Sequence, residues 1–156
     1  MAKLAYKRGD ATAPEEDGPK VIVHICNDIG RWGKGFVMAL SRRWSAPASE
    51  YRRWHHSKNG FKLGNIQIVK VEDDLWVANM IAQKGVGRRN GNVPIRYTAL
   101  EEALRKVAAF AQAHKAHVVM PKIGCGLAGG KWGKVCEIVQ DELVAKGLDV
   151  TVYSLK

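Results

Sequence analysis

The segment from residue 124 to residue 130 has the composition of an anion-binding loop. Gly124, Gly126, Gly129 and Gly130 fall within these seven residues, directly before a predicted helix that begins near Trp132. Glycines let the backbone approach a ligand closely, and the free N–H groups at a helix start attract negative charge. The pattern predicts a phosphate-binding loop. The alternative is a tight strand-to-helix turn that holds no ligand.

A second glycine-rich loop follows an earlier apolar run, VIVHI. Gly30, Gly33 and Gly35 come after this predicted strand and before a segment with apolar residues at helical spacing. The chain therefore contains two strand–glycine–helix units. Because ligands of open α/β sheets bind at the carboxyl ends of strands, we expect both loops to converge on one cleft. Asp10 and the segment 83–91 also follow predicted strands and should reach the same cleft.

Neither the histidines nor the cysteines are spaced for a metal site. His55 and His56 are adjacent without a suitable third ligand, and Cys26, Cys125 and Cys136 form no C-x-x-C pair and no disulfide framework. We therefore expect no metal and no other cofactor, and reduced thiols typical of a cytoplasmic protein. No apolar run approaches the ~18 residues of a membrane span, and the N-terminus lacks the apolar core of a secretory signal. Membrane association is not predicted.

Apolar periodicity predicts strands and helices in the order β–β–α–α–β–β–α–β–α–β. A hairpin turn is expected at residues 72–74, Pro94 is predicted in the first turn of the third helix, and the last strand is predicted between Asp149 and Leu155. This order implies an α/β fold with three α/β/α layers, a central mixed sheet and helices on both faces. The length of 156 residues fits a single domain that covers residues 1–156.

The chain carries a formal net charge of +10, which predicts attraction to polyanions or phosphorylated ligands. Its arginines occur in pairs such as Arg88 with Arg89, and paired arginines are usually a solvated face. The charge therefore makes nucleic acid a candidate partner without identifying it.

Residues 124–129 also match G-x-G-x-x-G, a motif of dinucleotide-binding folds. Such a fold needs an acidic residue about 20 residues later, at the end of the next strand. Here Asp149 stands at the start of that strand, and no second nucleotide-binding half remains, so this fold is disfavoured. A P-loop is excluded because Lys131 is followed by Trp132 and not by Ser or Thr.

Four motifs together resemble a known family, the macrodomains. They are the GD pair after the first strand, HICNDIGRWGKGF, PKIGCGLAGGKW and the terminal VTVYSL. Their order and spacing are similar to the branch that contains terminal ADP-ribose protein glycohydrolase and the antitoxin that removes ADP-ribose from DNA. The resemblance covers nearly the whole chain and implies that the ligand is ADP-ribose.

At the adenine end, the resemblance implies roles for four residues. Asp10 would accept a hydrogen bond from the adenine amino group, with the Ala11 amide nearby, and Tyr153 and Leu155 would sit beside the ring. An aspartate in this position also caps turns, and core packing accounts equally well for Tyr153 and Leu155. Both interpretations remain open at the level of sequence.

At the other end, the resemblance implies a diphosphate held by backbone amides and a ribose beyond it. Gly33 and Gly35 would face the diphosphate from one side, and Asn27 would face the distal ribose because an amide can bond vicinal hydroxyls. The alternative for Asn27 is a residue that only shapes its turn. The opposite side of the diphosphate would be formed by Ile123, Gly124, Cys125, Gly126, Leu127, Ala128 and Gly129.

The catalytic positions depart from the family pattern. Where the glycohydrolase branch has an aspartate after GCGL, this chain has Ala128, and Gln83 stands where the catalytic lysine is expected. Lys84 would reach the cleft only if the strand ends before it, which Gly85 permits. Asp28 is a carboxylate that could serve as a general base near the distal ribose. Lys84, Asp28 and Gln83 are therefore the candidate catalytic residues.

Two classes of function follow. The protein binds ADP-ribose and hydrolyses either an ADP-ribosyl linkage on protein or nucleic acid or ADP-ribose 1″-phosphate (Appr-1-p processing), or it is a non-catalytic ADP-ribose-binding module. A plain nucleic-acid binder is disfavoured because interleaved exposed aromatic residues are missing from the sequence pattern. We expect a cytoplasmic monomer whose partner is ADP-ribose or an ADP-ribosylated macromolecule.

Overall fold

The computed structural model describes residues 1–88 and 91–155 and contains one six-stranded sheet with helices on both faces. The predicted order of strands and helices is confirmed. Arg89, which was predicted at the mouth of the cleft, lies outside the described residues. The elements are β1 (Leu4–Arg8), β2 (Lys20–Asn27), α1 (Phe36–Arg43), α2 (Ala46–Ser57), β3 (Ile66–Glu72), β4 (Leu75–Gln83), α3 (Tyr97–His114), β5 (His117–Met120), α4 (Trp132–Glu142), a 3₁₀ turn (Val144–Lys146) and β6 (Val150–Ser154).

The strands lie in the order β1-β6-β5-β2-β4-β3, and only β3 runs antiparallel to its neighbour. The β3–β4 hairpin turns at residues 73–74, where Asp74 adopts a left-handed φ of 56°. This confirms the mixed sheet and the hairpin that were predicted from the apolar pattern. Because β2, β4, β5 and β6 are parallel, the segments that follow them emerge at the same edge of the sheet.

The two faces of β2 separate two hydrophobic cores. Val21 and Val23 pack in a core that includes residues of α3 and α4, whereas Ile22 and Cys26 pack in a second core with residues of α1 and α2. Alternate residues of a strand point to opposite faces, so this division is the expected result of a strand covered by helices on both sides. The three-layer α/β/α arrangement is therefore confirmed.

The structure corrects two predicted boundaries. Pro94 is not in the first turn of α3, which begins at Tyr97, because the segment before the helix is bonded to the end of β4: Lys84 N donates to Pro94 O at 2.9 Å and Arg96 N donates to Ala82 O at 2.8 Å. At the other end of the chain, β6 stops at Ser154, so Leu155 is not part of the strand. None of the described helices combines the length and apolar character needed to cross a membrane.

Candidate functional site

A cavity of about 670 Å³ opens between the loop after β2 and the loop after β5. We call it the main pocket. Its volume lies in the range of small-molecule binding sites. Both glycine loops predicted from the sequence contribute to its walls, together with the end of β4 and the first turn of α1. The lining residues are His24, Ile25, Cys26, Asn27, Arg31, Gly33, Lys34, Gly35, Phe36, Val37, Gln83, Val86, Gly87, Pro121, Lys122, Ile123, Gly124, Gly126, Leu127 and Ala128.

The side chain of Asn27 holds the first loop in shape through hydrogen bonds to the loop backbone. Its Oδ1 accepts hydrogen bonds from Ile29 N at 3.1 Å and Arg31 N at 3.0 Å, and its Nδ2 donates to Arg31 O at 2.7 Å. The buried hydroxyl of Tyr51 donates to Asn27 O at 2.6 Å and also contacts Oδ1 at 2.9 Å. The structure thus shows the turn-shaping role of Asn27. Its amide lines the pocket but is already occupied at most of its bonding positions.

The second loop is closed by its own backbone. Gly130 N donates to Gly124 O at 2.6 Å and Gly129 N donates to Gly126 O at 3.1 Å, while Ile95 N donates to Ala128 O at 3.0 Å. Gly124 has a φ of +75°, and a Cβ added there would lie 2.6 Å from Ile95 Cδ1. Glycine is favoured here because a residue with a Cβ is strained in the left-handed region, and the added atom would also force Ile95 to move.

The pocket wall presents backbone amides that are free to bind a ligand. Within the described part of the chain, no hydrogen-bond acceptor is found for the amides of lining residues 126–128 or 33–36. The second set includes the start of α1, whose N-cap Gly35 makes no side-chain capping bond. Leu127, whose side chain is 62% exposed, reaches across to Gly35. Both loops that line the opening therefore carry unpaired N–H groups, an arrangement that suits an anion.

The charges around the main pocket have one sign. Arg31, Lys34 and Lys122 line it, and its described lining includes neither an aspartate nor a glutamate. The potential in a cleft lined by like charges is focused toward the bound molecule, so an anionic ligand is favoured. These three residues were not predicted as site residues, because surface lysines and arginines carry no positional signal in a chain with so many of them.

Comparison with known proteins settles the family. The Macro domain model matches residues 23–139, which include both glycine loops. This chain belongs to the Macro domain family. The family prediction made from the sequence motifs is confirmed.

Individual macrodomain relatives cover almost all of this chain. A solved structure from Bacteroides thetaiotaomicron is 54% identical, superposes with a TM-score of 0.96 and shares 97% of this chain and 98% of its own. The "ADP-ribose 1''-phosphate phosphatase" of Lodderomyces elongisporus is 28% identical over 96% of this chain and 97% of its own length. The "Chromodomain-helicase-DNA-binding protein 1-like" of Danio rerio is 31% identical over 96% of this chain, but the chain spans only 15% of that relative's length.

Of the three candidate catalytic residues, the structure brings only Gln83 to the main pocket of this macrodomain. Lys84 lines a neighbouring depression of about 320 Å³ instead. Asp28 accepts a hydrogen bond from Gly85 N at 2.7 Å, so its carboxylate fixes the turn after β4 and does not line the main pocket. Gly87 borders both cavities, so the depression that Lys84 lines adjoins the main pocket. The strand ends at Gln83, as the hypothesis for Lys84 required, yet Lys84 faces the second depression.

The four candidate adenine contacts lie outside the lining of the main pocket. Asp10 Oδ1 accepts hydrogen bonds from Thr12 N at 2.8 Å and Thr12 Oγ1 at 2.7 Å, and its Oδ2 lies 3.4 Å from Arg43 Nη2. Burial acts to raise the pKa of Asp10, but these bonds outweigh it and lower the pKa. The contacts show a turn-capping carboxylate, and recognition of adenine by Asp10 stays a prediction.

The remaining adenine candidates are divided between core and surface. Ala11 and Tyr153 are buried, and the Tyr153 hydroxyl donates to Glu16 Oε1 at 2.7 Å and accepts from Glu15 N at 3.0 Å. Leu155 is 79% exposed, so it does not pack in the core, and that interpretation of Leu155 is wrong. For Tyr153, core packing is what the structure shows.

Two predicted phosphate-loop residues, Cys125 and Gly129, do not line the main pocket. The Gly129 amide is used within its own loop. The Cys125 thiol faces Ile123 O at 3.4 Å, and burial raises its pKa, so it is not activated as a nucleophile. Within residues 1–88 and 91–155, no three His, Cys, Asp or Glu side chains come together in a way that could hold a metal ion.

Proposed function

We propose that this macrodomain binds ADP-ribose in the main pocket. The proposal rests on one observation above all: both loops that line the pocket carry unpaired amides, and the described lining has three cations and no carboxylate. A ligand with a diphosphate between two sugars fits this distribution of charge. The name of the Lodderomyces elongisporus relative, which refers to ADP-ribose 1''-phosphate, supports the same ligand class.

The amides of residues 33–36 and 126–128 hold the diphosphate in this proposal. Backbone amides on a preformed loop lose little freedom on binding, so they bind without the ordering cost of long cationic side chains. Arg31, Lys34 and Lys122 supply attraction over a longer range. Asn27 keeps the first loop in shape, and the hydrogen that remains on its Nδ2 is available to the distal ribose.

A hydrolytic function is supported by the junction of the two cavities at Gly87. A group attached to the distal ribose would leave the main pocket beside Lys84, and a lysine there stabilises negative charge that develops on a leaving group. Asp28, which is bonded to the neighbouring residue Gly85, supplies a carboxylate whose second oxygen is not committed to that bond. In this proposal the substrate is an ADP-ribosyl linkage or ADP-ribose 1″-phosphate.

The alternative function is a non-catalytic ADP-ribose-binding module. It is favoured by the absence of any carboxylate from the described lining of the main pocket, because water activation at the anomeric carbon needs a base. A panel of ADP-ribosylated protein, DNA and RNA and of ADP-ribose 1″-phosphate separates the two functions. Turnover that is lost in Lys84→Ala but kept in Lys70→Ala, an exposed lysine that lines neither cavity, supports hydrolysis. If no substrate of the panel is hydrolysed, the function that remains is the non-catalytic binding module.

The basic rim suggests that the ADP-ribosyl group is carried by a nucleic acid or another polyanion. Lys84, Lys122 and Arg31 line the two adjoining cavities, and the net charge of +10 attracts a polyanion from a distance. Together with this substrate class we propose that the protein acts as a cytoplasmic monomer and as a single domain over residues 1–156. Size-exclusion chromatography with light scattering tests the monomer.

Two glycines on the pocket wall test the ligand site itself. A Cβ added at Gly33 or Gly126 meets no atom within 4 Å, and neither residue has a left-handed φ, so alanine is compatible with the fold at both positions. Gly133 shares these properties but lies in α4, outside the lining. We expect Gly33→Ala and Gly126→Ala to weaken ADP-ribose binding with unchanged melting temperature, and Gly133→Ala to bind like the wild type. Equal affinities for all three variants would place the ligand elsewhere.

A further inference from the structure

One buried nitrogen in the wall of the main pocket has no hydrogen-bond partner. His24 is 2% exposed, and its Nδ1 is the only buried side-chain nitrogen or oxygen without a partner among residues 1–88 and 91–155. Buried polar atoms are nearly always hydrogen-bonded, because an unpaired one has lost its bonds to water without replacement. Because His24 is also a lining residue of the main pocket, its Nδ1 is a candidate ligand contact.

A chain of hydrogen bonds determines which nitrogen of His24 carries the proton. Asn79 Nδ2 donates to Pro47 O at 3.2 Å and to Gln67 Oε1 at 3.0 Å, and Gln67 Nε2 in turn donates to Glu50 O at 2.8 Å. A carbonyl oxygen only accepts, so Pro47 fixes the orientation of the Asn79 amide. Asn79 Oδ1 must then face His24 Nε2, 2.5 Å away, as an acceptor.

It follows that Nε2 bears the hydrogen and that Nδ1 is a bare acceptor in the neutral ring. Burial lowers the pKa of His24 to about 4, with the Asn79 hydrogen bond opposing this, so the ring stays neutral at physiological pH. Two aromatic rings hold the imidazole in place: Trp32 lies edge-on at 5.4 Å and Phe36 at 6.0 Å between centroids. His24 Nδ1 is therefore an uncharged hydrogen-bond acceptor in a fixed position.

The acceptor faces the pocket side of β2. The two nitrogens of an imidazole point in nearly opposite directions, and Nε2 is turned toward Asn79 on β4. Nδ1 therefore points away from β4, toward the side of β2 on which β5 lies. Pro121 and Lys122, which follow β5, line the main pocket with His24.

We propose that His24 Nδ1 accepts a hydrogen bond from an O–H group at the inner wall of the main pocket. The O–H belongs either to a hydroxyl of the bound ribosyl ligand or to an enclosed water molecule that the ligand contacts. His24 is then a residue that selects for a donor at this point of the ligand. The identity of the ligand rests on the proposed binding of ADP-ribose, whereas the state of the ring does not.

Nitrogen NMR of ¹⁵N-histidine protein reads the state of Nδ1 directly, and the His24→Gln variant assigns the resonance among the five histidines. We expect a protonated Nε2 and an unprotonated Nδ1. If the Nδ1 resonance moves to the chemical shift of a hydrogen-bonded nitrogen when ADP-ribose is added, but not when ADP is added, the donor is a hydroxyl of the distal ribose. A resonance already at the hydrogen-bonded position in the free protein identifies water. A resonance at the non-bonded position throughout, with or without bound ligand, overturns the proposal, as does a protonated Nδ1.

Affinity measurements provide the second readout. Glutamine keeps a donor where Nε2 meets Asn79 but has no acceptor at the Nδ1 position, whereas asparagine places an amide near Nδ1. We expect His24→Gln to weaken ADP-ribose binding about 2- to 10-fold, the loss of one hydrogen bond, and His24→Asn to recover part of it. Full affinity in a folded His24→Gln variant contradicts the proposal. If the wild-type protein itself fails to bind ADP-ribose, the proposed function is wrong. The nitrogen chemical shift of Nδ1 in the free protein then shows by itself whether His24 binds a water molecule.

Discussion

Replacing Gly124 by alanine should lower both the stability of the protein and its affinity for ADP-ribose. The left-handed backbone at φ +75° costs a residue with a Cβ about 1–2 kcal/mol. The new methyl group would lie 2.6 Å from Ile95 Cδ1 and 3.2 Å from Ile25 Cδ1, and overpacking of this kind costs about 1–3 kcal/mol. The sum is about 2–5 kcal/mol, or a decrease in melting temperature on the order of 4–20 °C for a chain of this length.

The matched control is Gly133→Ala in the first turn of α4. An added Cβ at Gly133 meets nothing within 4 Å and the backbone is not left-handed, so alanine should stabilise the helix by about 0.4–1 kcal/mol. Differential scanning calorimetry with and without ADP-ribose measures both variants. The Gly124 variant should also lose ligand-induced stabilisation, because Gly130 N bonds to Gly124 O and a displaced loop misaligns its free amides. Equal melting temperatures for the two variants would refute this reasoning.

Three further predictions address charge and pH. If amides hold the diphosphate, the affinity for free ADP-ribose should fall only weakly with added salt, whereas the affinity for nucleic acid should fall steeply. Fluorescence titrations at several salt concentrations measure both affinities. A steep salt dependence for ADP-ribose as well would show that side-chain cations dominate its binding. Asp10→Asn keeps the cap on Thr12 but removes the acceptor for an adenine amino group, so calorimetry should show weaker ADP-ribose binding and unchanged ribose 5-phosphate binding; equal losses would mean a purely structural carboxylate. Burial acts to raise the pKa of Glu16, but the hydrogen bond from Tyr153, followed by that from Lys7, lowers this pKa to about 2. The contribution of the Glu16 carboxylate to folding stability is therefore complete above pH 4.5 and disappears as the pH falls toward 2. Urea titrations of Glu16→Gln should therefore show destabilisation at pH 7 that vanishes near pH 2, and a destabilisation independent of pH would exclude this origin.

The fold was predictable because its signals are local and repeated. The apolar run of β2, the turn at residues 72–74 and the helical spacing of α3 each depend on a few neighbouring residues, and their order sets the topology. Pro94 misled the boundary of α3, because its carbonyl accepts a hydrogen bond from Lys84, a contact between distant residues. The glycine loops were predictable for the same local reason, since glycine is required where φ is positive, as at Gly124.

The direction of individual side chains was not predictable. Whether Lys84 faces the main pocket depends on the turn that Asp28 fixes through Gly85, and no spacing rule encodes that hydrogen bond. The same holds for Asp10, whose carboxylate turns back to Thr12. His24 carried a weaker signal, a polar residue inside the otherwise apolar run VIVHI. Such a residue predicts a buried partner, but Asn79 is found only once β2 and β4 are aligned.

The most direct test of the central claim is a calorimetric titration of the protein with ADP-ribose. A single pocket lined by two loops with unpaired amides predicts one molecule bound per chain, with an affinity in the micromolar range, on the order of −8 kcal/mol. ADP-ribose should also raise the melting temperature, since a ligand that binds only the folded state stabilises it. The absence of both heat and a thermal shift at millimolar ADP-ribose would contradict the assignment of the main pocket as an ADP-ribose site.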